Sequence, residues 1–202
     1  MRRLYQLDDC PYCETVRRAL HYFILEYNAV WITRDDRDAV RDVSGQEEVP
    51  VLTENGRVFT DSEPIVRYLE ESYGSRGLLF PHDPGDRGLA KVLLRYITRV
   101  WKPLVSESRK SAGGQKKKEA ALQEQVDSEA RSINDLLSGR SFLLGENMTY
   151  PDLFFSGFVF MIREHSPLHI SPEYQKILGW YENVNQITYD NGVRDQTTRM
   201  GT

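Results

Sequence analysis

Two cysteines stand three positions apart near the start of the chain, in Cys10-Pro11-Tyr12-Cys13, and no other cysteine occurs in the 202 residues. An apolar-alternating run, Leu4-Tyr5-Gln6-Leu7, precedes them, and a helical pattern begins near Pro11. A cysteine at the start of a helix faces unpaired backbone N–H groups and the positive end of the helix dipole. Both favour the thiolate, the nucleophilic form, and can bring a free-thiol pKa of about 8.5 down to roughly 3.5–7.5. Pro11 suits the first helical turn, where its missing N–H would have had no partner. Cys13, nearly one turn on, is close enough to attack a mixed disulfide formed on Cys10. The chemistry this spacing points to is thiol–disulfide exchange.

Other uses of two cysteines fit less well. A structural zinc site needs about four ligands, but there is no second cysteine pair and His21, His82, His165 and His169 are scattered. A structural disulfide closing so small a loop would constrain the unfolded chain little. Two inert buried thiols would not need a helix start. A C-x-x-C beside a βαβ pattern is the context in which the motif reads as redox-active.

Composition narrows the field. Hydrophobic content of 40% and charged content of 28% describe an ordinary globular protein. A net charge of −4 and a pI near 5.6 argue against a nucleic-acid-binding surface. No apolar run reaches the ~18 residues of a membrane span. The opening residues lead straight into a strand pattern without a signal peptide, and a lone redox-spaced pair fits a reducing cytoplasm.

The elements that must position the pair follow from periodicity. Residues 11–25 form a helix, with Val16, Ala19, Leu20, Phe23 and Ile24 at helical spacing. Residues 27–32 form a strand, 35–43 a charged helix and 48–53 a strand. Asn55-Gly56 turns that strand into another at 57–60. Asp61-Ser62 caps a helix whose apolar side is Ile65, Val66, Tyr68 and Leu69. Gly74 to Gly88 is a linker by composition. Beyond it every pattern is helical. Leu89 to Leu104 is strongly amphipathic, with Pro103 expected to kink or end it. Gly113-Gly114 and Lys116-Lys117-Lys118 make a polar break, the lysines starting the next solvated helix, which Leu122 to Leu137 marks. Thr149 and Asp152 form a capping box before Leu153–Ile162, a segment apolar nearly all round and therefore buried. A last helix covers 174–184, and 186–202 is expected to be a loose tail.

The strand, C-x-x-C and helix resemble the thioredoxin-like arrangement, and the whole pattern resembles the glutathione transferase superfamily. It is most similar to glutaredoxin-2-like members that keep a CPYC motif. The matching pieces are Cys10-Pro11-Tyr12-Cys13, Val49-Pro50-Val51-Leu52, Asp61-Ser62 with Ile65 and Tyr68-Leu69, Leu79-Phe80-Pro81, and Thr149 with Asp152. The resemblance implies an α/β thioredoxin-like domain (βαβαββα) at residues 1–75, a linker at 76–87, and an all-helical domain at 88–185. It implies glutathione as co-substrate and no metal. Cys10 would be the nucleophile and Cys13 the resolving thiol. Pro11, Tyr12, Val49, Pro50, Asp61 and Ser62 would contact the ligand. Pro50 would be cis, Val49 would pair through its backbone with the cysteinyl unit, and Asp61 and Ser62 would hold the γ-glutamyl end. The implied partners are glutathione and small-molecule or protein disulfides, on a monomer or homodimer, without nucleic acid or membrane.

The activity so implied is glutathione-dependent thiol–disulfide exchange. The alternatives are a glutathione-conjugating transferase and a non-catalytic interaction protein on the same fold. Gln46-Glu47-Glu48 departs from the basic residue that many relatives carry before the Val-Pro step. Either Arg34, Arg37 or Arg41 substitutes, or glutathione binds weakly, or the ligand is a different thiol.

Overall fold

The structure is a computed structural model that describes residues 1–74, 77–111, 116–190 and 195–198, with side chains described up to residue 190. The expected break at Gly113-Gly114 lies outside those residues. The chain divides into two compact units, Met1–Leu78 with Gln186–Thr202, and Leu79–Asn185. Among the described residues no helix is long and apolar enough to cross a membrane.

The first unit runs β1 (Arg3–Gln6), α1 (Pro11–Tyr22), β2 (Tyr27–Trp31), α2 (Asp38–Ser44), β3 (Val51–Glu54), β4 (Arg57–Thr60) and α3 (Ser62–Tyr73). This is the βαβαββα order expected. β1 pairs in parallel with β2 and antiparallel with β3, and β3 pairs antiparallel with β4. Asn55 and Gly56 both adopt positive φ, 52° and 77°, which gives the hairpin the turn twist its strands require. Side chains alternate along each strand, so Leu4, Ala29 and Leu52 face one side of the sheet and Tyr5, Val30 and Val51 the other. Val40 of α2 packs with Tyr5, Val30 and Val51. α1 and α3 pack against one another, burying Val16, Leu20, Ile65, Val66 and Leu69 completely.

The helix of residues 11–25 is shorter than its periodicity suggests. It stops at Tyr22, where the N–H of Phe23 donates to the Ala19 carbonyl and that of Ile24 to the His21 carbonyl, each at 3.0 Å. Ile24 has a φ of 56° and is half exposed, so its apolar spacing is not a core position. The charged helix begins at Asp38 rather than 35 and ends at Gly45, whose left-handed φ of 73° suits a residue without Cβ.

The expectation of a loose tail at 186–202 does not hold for the described residues among them, 186–190 and 195–198; the remainder lies outside the described residues. The last helix, α7 (Gln175–Tyr189), runs five residues past 184, and β5 (Asp195–Thr198) pairs in parallel with β2. The sheet order is therefore β4-β3-β1-β2-β5. Asp195-Gln196-Thr197-Thr198 has no apolar alternation to announce a strand. What seats it is backbone hydrogen bonding along a sheet edge, which any sequence can supply.

The second unit contains α4 (Pro84–Ser111), α5 (Lys116–Leu136), α6 (Tyr150–His165) and most of α7. α4 does not end at Pro103. That residue sits on the exposed face between buried Trp101 and Leu104, where a lost backbone bond opens to water. Leu89 and Val92 head the expected apolar stripe but are exposed, and the buried apolar residues of the helix are Ala90 and then Ile97, Trp101, Leu104 and Val105. α6 is buried as expected. Phe155 stacks on Trp180 at 5.2 Å and meets Trp101 edge-on at 4.8 Å. Lys116 and Lys117 are exposed at the start of α5.

Asp152 is fully buried at the head of α6. Its Oδ2 accepts from the Thr149 N–H at 2.9 Å and the Thr149 hydroxyl at 2.7 Å, and its Oδ1 accepts from the Leu143 N–H at 2.8 Å and Trp180 Nε1 at 2.9 Å. The capping box is thus present, and it reaches beyond the helix it opens. Ahead of it, the Tyr150 N–H donates to the Leu79 carbonyl at 2.8 Å and Phe80 stacks on Tyr150.

Candidate active site

Strand directions alone gather one set of the chemistry-bearing residues. β1 is antiparallel to β3, and β3 to β4, so the end of β1, the start of β3 and the end of β4 share one edge of the sheet. Tyr5 lies opposite Val51, and Val51 opposite Thr60. Cys10 follows β1, Val49-Pro50 precedes β3, and Asp61-Ser62 follows β4. The N-termini of α1 and α3 both start at that edge, bringing backbone N–H donors with them.

Cys10 is the N-cap of α1, with extended φ and ψ, and Pro11 begins the helix. The Cys13 N–H donates to Cys10 Sγ at 3.2 Å. Both thiols are free; Cys10 is 7% exposed and Cys13 wholly buried. Leu7, Cys10 and Cys13 form one cluster, and Tyr12, Ile32 and Val49 pack against it. The Val49–Pro50 peptide is cis, as the resemblance implies.

The two thiols are driven apart electrostatically. The Cys13 thiol, donating to the Cys10 sulfur, does most to hold Cys10 below its ordinary range. Burial opposes this, while the N–H groups of Cys13 and Tyr12 and the charge of Arg17 add to it. Burial pushes the Cys13 thiol well up, and its partner Cys10 pushes it further. One thiol is set up as the thiolate and the other as its proton-bearing neighbour. Alkylation at about pH 6 is therefore expected to be at least about tenfold faster at Cys10 in a Cys13→Ser chain than at Cys13 in a Cys10→Ser chain. Equal rates would overturn the assignment.

Asp61 and Ser62 stand at the start of α3, but not as a simple cap. Asp61 has φ 65° and ψ 144°, a region costing a non-glycine residue about 1–3 kcal/mol. Its side chain makes no capping hydrogen bond. Ser62 is the first helical residue and is buried. The expected cap at Asp61 is thus corrected, since the positive φ leaves the carboxylate away from the first-turn N–H groups.

The arginines near the acidic Gln46-Glu47-Glu48 are engaged. Arg41 pairs with Asp38 at 2.6 Å and Glu47 at 2.5 Å, so its single charge is shared between two carboxylates. Arg37 donates to the Arg34 carbonyl. Arg34 pairs at 2.7 Å with Asp9, the residue before Cys10, which ties one guanidinium to the loop that leads into the helix start.

Sequence reasoning missed a buried ionic group on α1. Glu14, Arg17 and Arg18 are 1%, 7% and 1% exposed. Glu14 Oε1 lies 2.8 Å from Arg18 Nε in an ion pair and accepts from the Tyr189 hydroxyl at 2.8 Å, and its Oε2 pairs with Arg17 at 2.7 Å. Burial alone would push the Glu14 carboxyl up, but Arg18, Arg17 and the Tyr189 hydroxyl hold it below its ordinary range. Charged residues at i, i+3 and i+4 read as a solvated face, and nothing near Tyr189 marks it as their partner.

Comparison with known proteins bears on this geometry. The family description "Glutathione S-transferase, N-terminal domain" matches residues 4–77, and "Glutathione S-transferase, C-terminal domain" matches residues 93–187. Both domains are present in order, and the chain belongs to the glutathione S-transferase superfamily. Among curated relatives, "Glutathione S-transferase U17" of Arabidopsis thaliana is 28% identical over 58% of this chain and 53% of its own. "Glutathione S-transferase U18" of the same plant is 27% identical over 73% of this chain and 67% of its own. The chain thus spans about half to two-thirds of the length of these relatives. A glutathione S-transferase from Rhodospirillum rubrum F11 superposes with a TM-score of 0.77 at 27% identity, over 92% of this chain and 88% of that one. The thioredoxin-like α/β domain followed by a helical domain is this family's fold.

Proposed function

We propose that this chain is a glutathione-dependent enzyme of the glutathione transferase type, and that it carries out thiol–disulfide exchange through Cys10. The two domain matches and the names of the relatives support the broad part. One observation carries the finer part: Cys10 Sγ at the helix N-cap, accepting the Cys13 N–H, with a second thiol one turn away. The Cys10 thiolate attacks one sulfur of a glutathione disulfide, the S–S bond breaks, and glutathione thiolate leaves and takes up a proton. The Cys13 thiol loses its proton and attacks Cys10 Sγ, releasing a second glutathione and leaving a Cys10–Cys13 disulfide. Val49 and Tyr12, packed against the pair, and Pro11, Pro50, Asp61 and Ser62 at the same sheet edge are the proposed ligand contacts. With a substrate disulfide in place of oxidised glutathione the same two steps reduce it to two thiols, and two molecules of glutathione then return the pair to the dithiol, leaving as oxidised glutathione.

Conjugation of glutathione to an electrophile is the second reading, favoured by the relatives' names. That reaction leaves the thiol on glutathione and relies on a hydroxyl to stabilise it, whereas this chain has a cysteine at the helix start. Mass measurement after incubation with oxidised glutathione separates the two. Cys13→Ser is expected to hold one glutathionyl group on Cys10, while the unaltered chain ends two hydrogens lighter. No adduct, together with conjugation that survives Cys10→Ser, would establish the second reading.

The ligand's anionic end has its own test. If the Ser62 hydroxyl donates to a carboxylate at the start of α3, Ser62→Ala is expected to weaken glutathione binding by about 1.5–3 kcal/mol in titration calorimetry. Unchanged affinity would remove Ser62 from the ligand site.

A further inference from the structure

Arg17 lies one helical turn beyond Cys13, on the same face of α1. Its guanidinium is held from three elements. Nε and Nη2 bond Glu14 Oε2 at 2.8 and 2.7 Å, Nη1 bonds Gln6 Oε1 of β1 at 3.2 Å, and the plane lies over the Trp31 ring of β2 at 5.4 Å. Glu14 is itself fixed by Arg18 and by the Tyr189 hydroxyl at the end of α7. The single carboxylate of Glu14 is divided between two guanidiniums and by itself offsets one of their two charges. Buried ion groups are costly, and apolar residues of similar volume are often as stable or more so. Their position on α1, one turn beyond a reactive cysteine pair, points to a role other than stability.

We propose, building on the thiol–disulfide reading, that Arg17 is a positioning residue for the Cys10–Cys13 pair. Glu14, braced by Arg18 and Tyr189, fixes the guanidinium on the Cys13 face of α1, where its buried positive charge favours thiolate at the reacting sulfur. The opposing charges near the pair are Asp8 and Asp9 on the loop before Cys10, Asp9 being paired with Arg34, and Glu47 and Glu48 before Val49, Glu47 being paired with Arg41. Asp9, Glu47 and their arginine partners are partly or well exposed, so water and salt weaken their influence on the sulfurs far more than that of Arg17. The brace also gives the end of α7 a part in the chemistry, since Tyr189 holds the carboxylate that holds the guanidinium.

The test reads the pH dependence of Cys10 alkylation in a Cys13→Ser chain. Arg17→Met is expected to slow alkylation at about pH 6 by about 3- to 10-fold and to move the profile to higher pH, while Arg17→Lys keeps most of the rate. Glu14→Gln, which leaves both guanidiniums, is expected to move the profile the other way. A packing role alone would shift unfolding midpoints without opposite displacements of the profile. Should Arg17→Met leave the profile in place, or Arg17→Lys move it as far as Arg17→Met, the inference fails. If Glu14→Gln does not fold, the methionine and lysine variants decide. The functional reading fails separately, when the parent Cys13→Ser chain shows an ordinary thiol profile and takes up no glutathione.

Discussion

Replacing Cys10 by serine is expected to lower glutathione-dependent disulfide reduction by about 10³-fold or more, with little change in unfolding midpoint. The sulfur is the N-cap acceptor of α1, and a serine oxygen can accept the same N–H. The helix should therefore survive. The reaction should not, because a hydroxyl at that position has neither a lowered pKa nor the ability to form a mixed disulfide. Cys13→Ser is expected to differ in kind. It keeps the nucleophile and a donor beside it, so the first exchange proceeds and the adduct waits for a second glutathione. A fixed-time assay of glutathione-dependent disulfide reduction on the two variants checks this. Loss confined to Cys13→Ser would reverse the roles, and near-full activity in Cys10→Ser would remove thiol exchange from this site.

Asp152→Ala carries the largest expected effect on stability. Four donors converge on this buried carboxylate, and burial pushes its pKa up against the pull of the Leu143 N–H, Thr149 and Trp180. Each buried donor left without an acceptor costs about 1–3 kcal/mol. Some of these can turn to a water admitted by the smaller side chain, so a loss of about 3–5 kcal/mol is expected, comparable to breaking a buried pair. For a chain of this size that is roughly 6–20 °C in midpoint. Asp152→Asn keeps one acceptor oxygen and should lose less. Because Asp152 belongs to the second unit and Cys10 to the first, activity per folded molecule should stay near normal. If Asp152→Ala abolished turnover while its unfolding curve stayed the same, Asp152 would belong to the active site.

The elements that hold the site were legible because their signals are local. Apolar periodicity marks α1, α3 and the buried α6, Asn55-Gly56 fixes the β3–β4 hairpin, and Thr149 with Asp152 announces a helix start. The Cys10-to-Cys13 spacing declares its chemistry without any fold. Where local signals compete with tertiary ones, the reading drifted. Leu89 and Val92 have helical spacing but stay exposed among the described residues, and Pro103 lies on a face where water absorbs the lost bond.

The sequence by itself determined the order of elements from β1 to α7, the helix start beneath Cys10 and the family. Each element depends on residues within a turn or a hairpin of one another, and the family on such local pieces recurring in order from Cys10 to Asp152. Only the tertiary structure decided which distant residues serve that start. Strand direction carries Val49-Pro50 and Asp61-Ser62 to the edge where Cys10 lies, and edge pairing seats a polar β5 that no periodicity could reveal. Chain reversal brings Tyr189 to Glu14, 175 residues away in sequence. A charge such as Arg17 reads as solvated until its partners are known, because burying it is favourable only when acceptors from other elements converge on it.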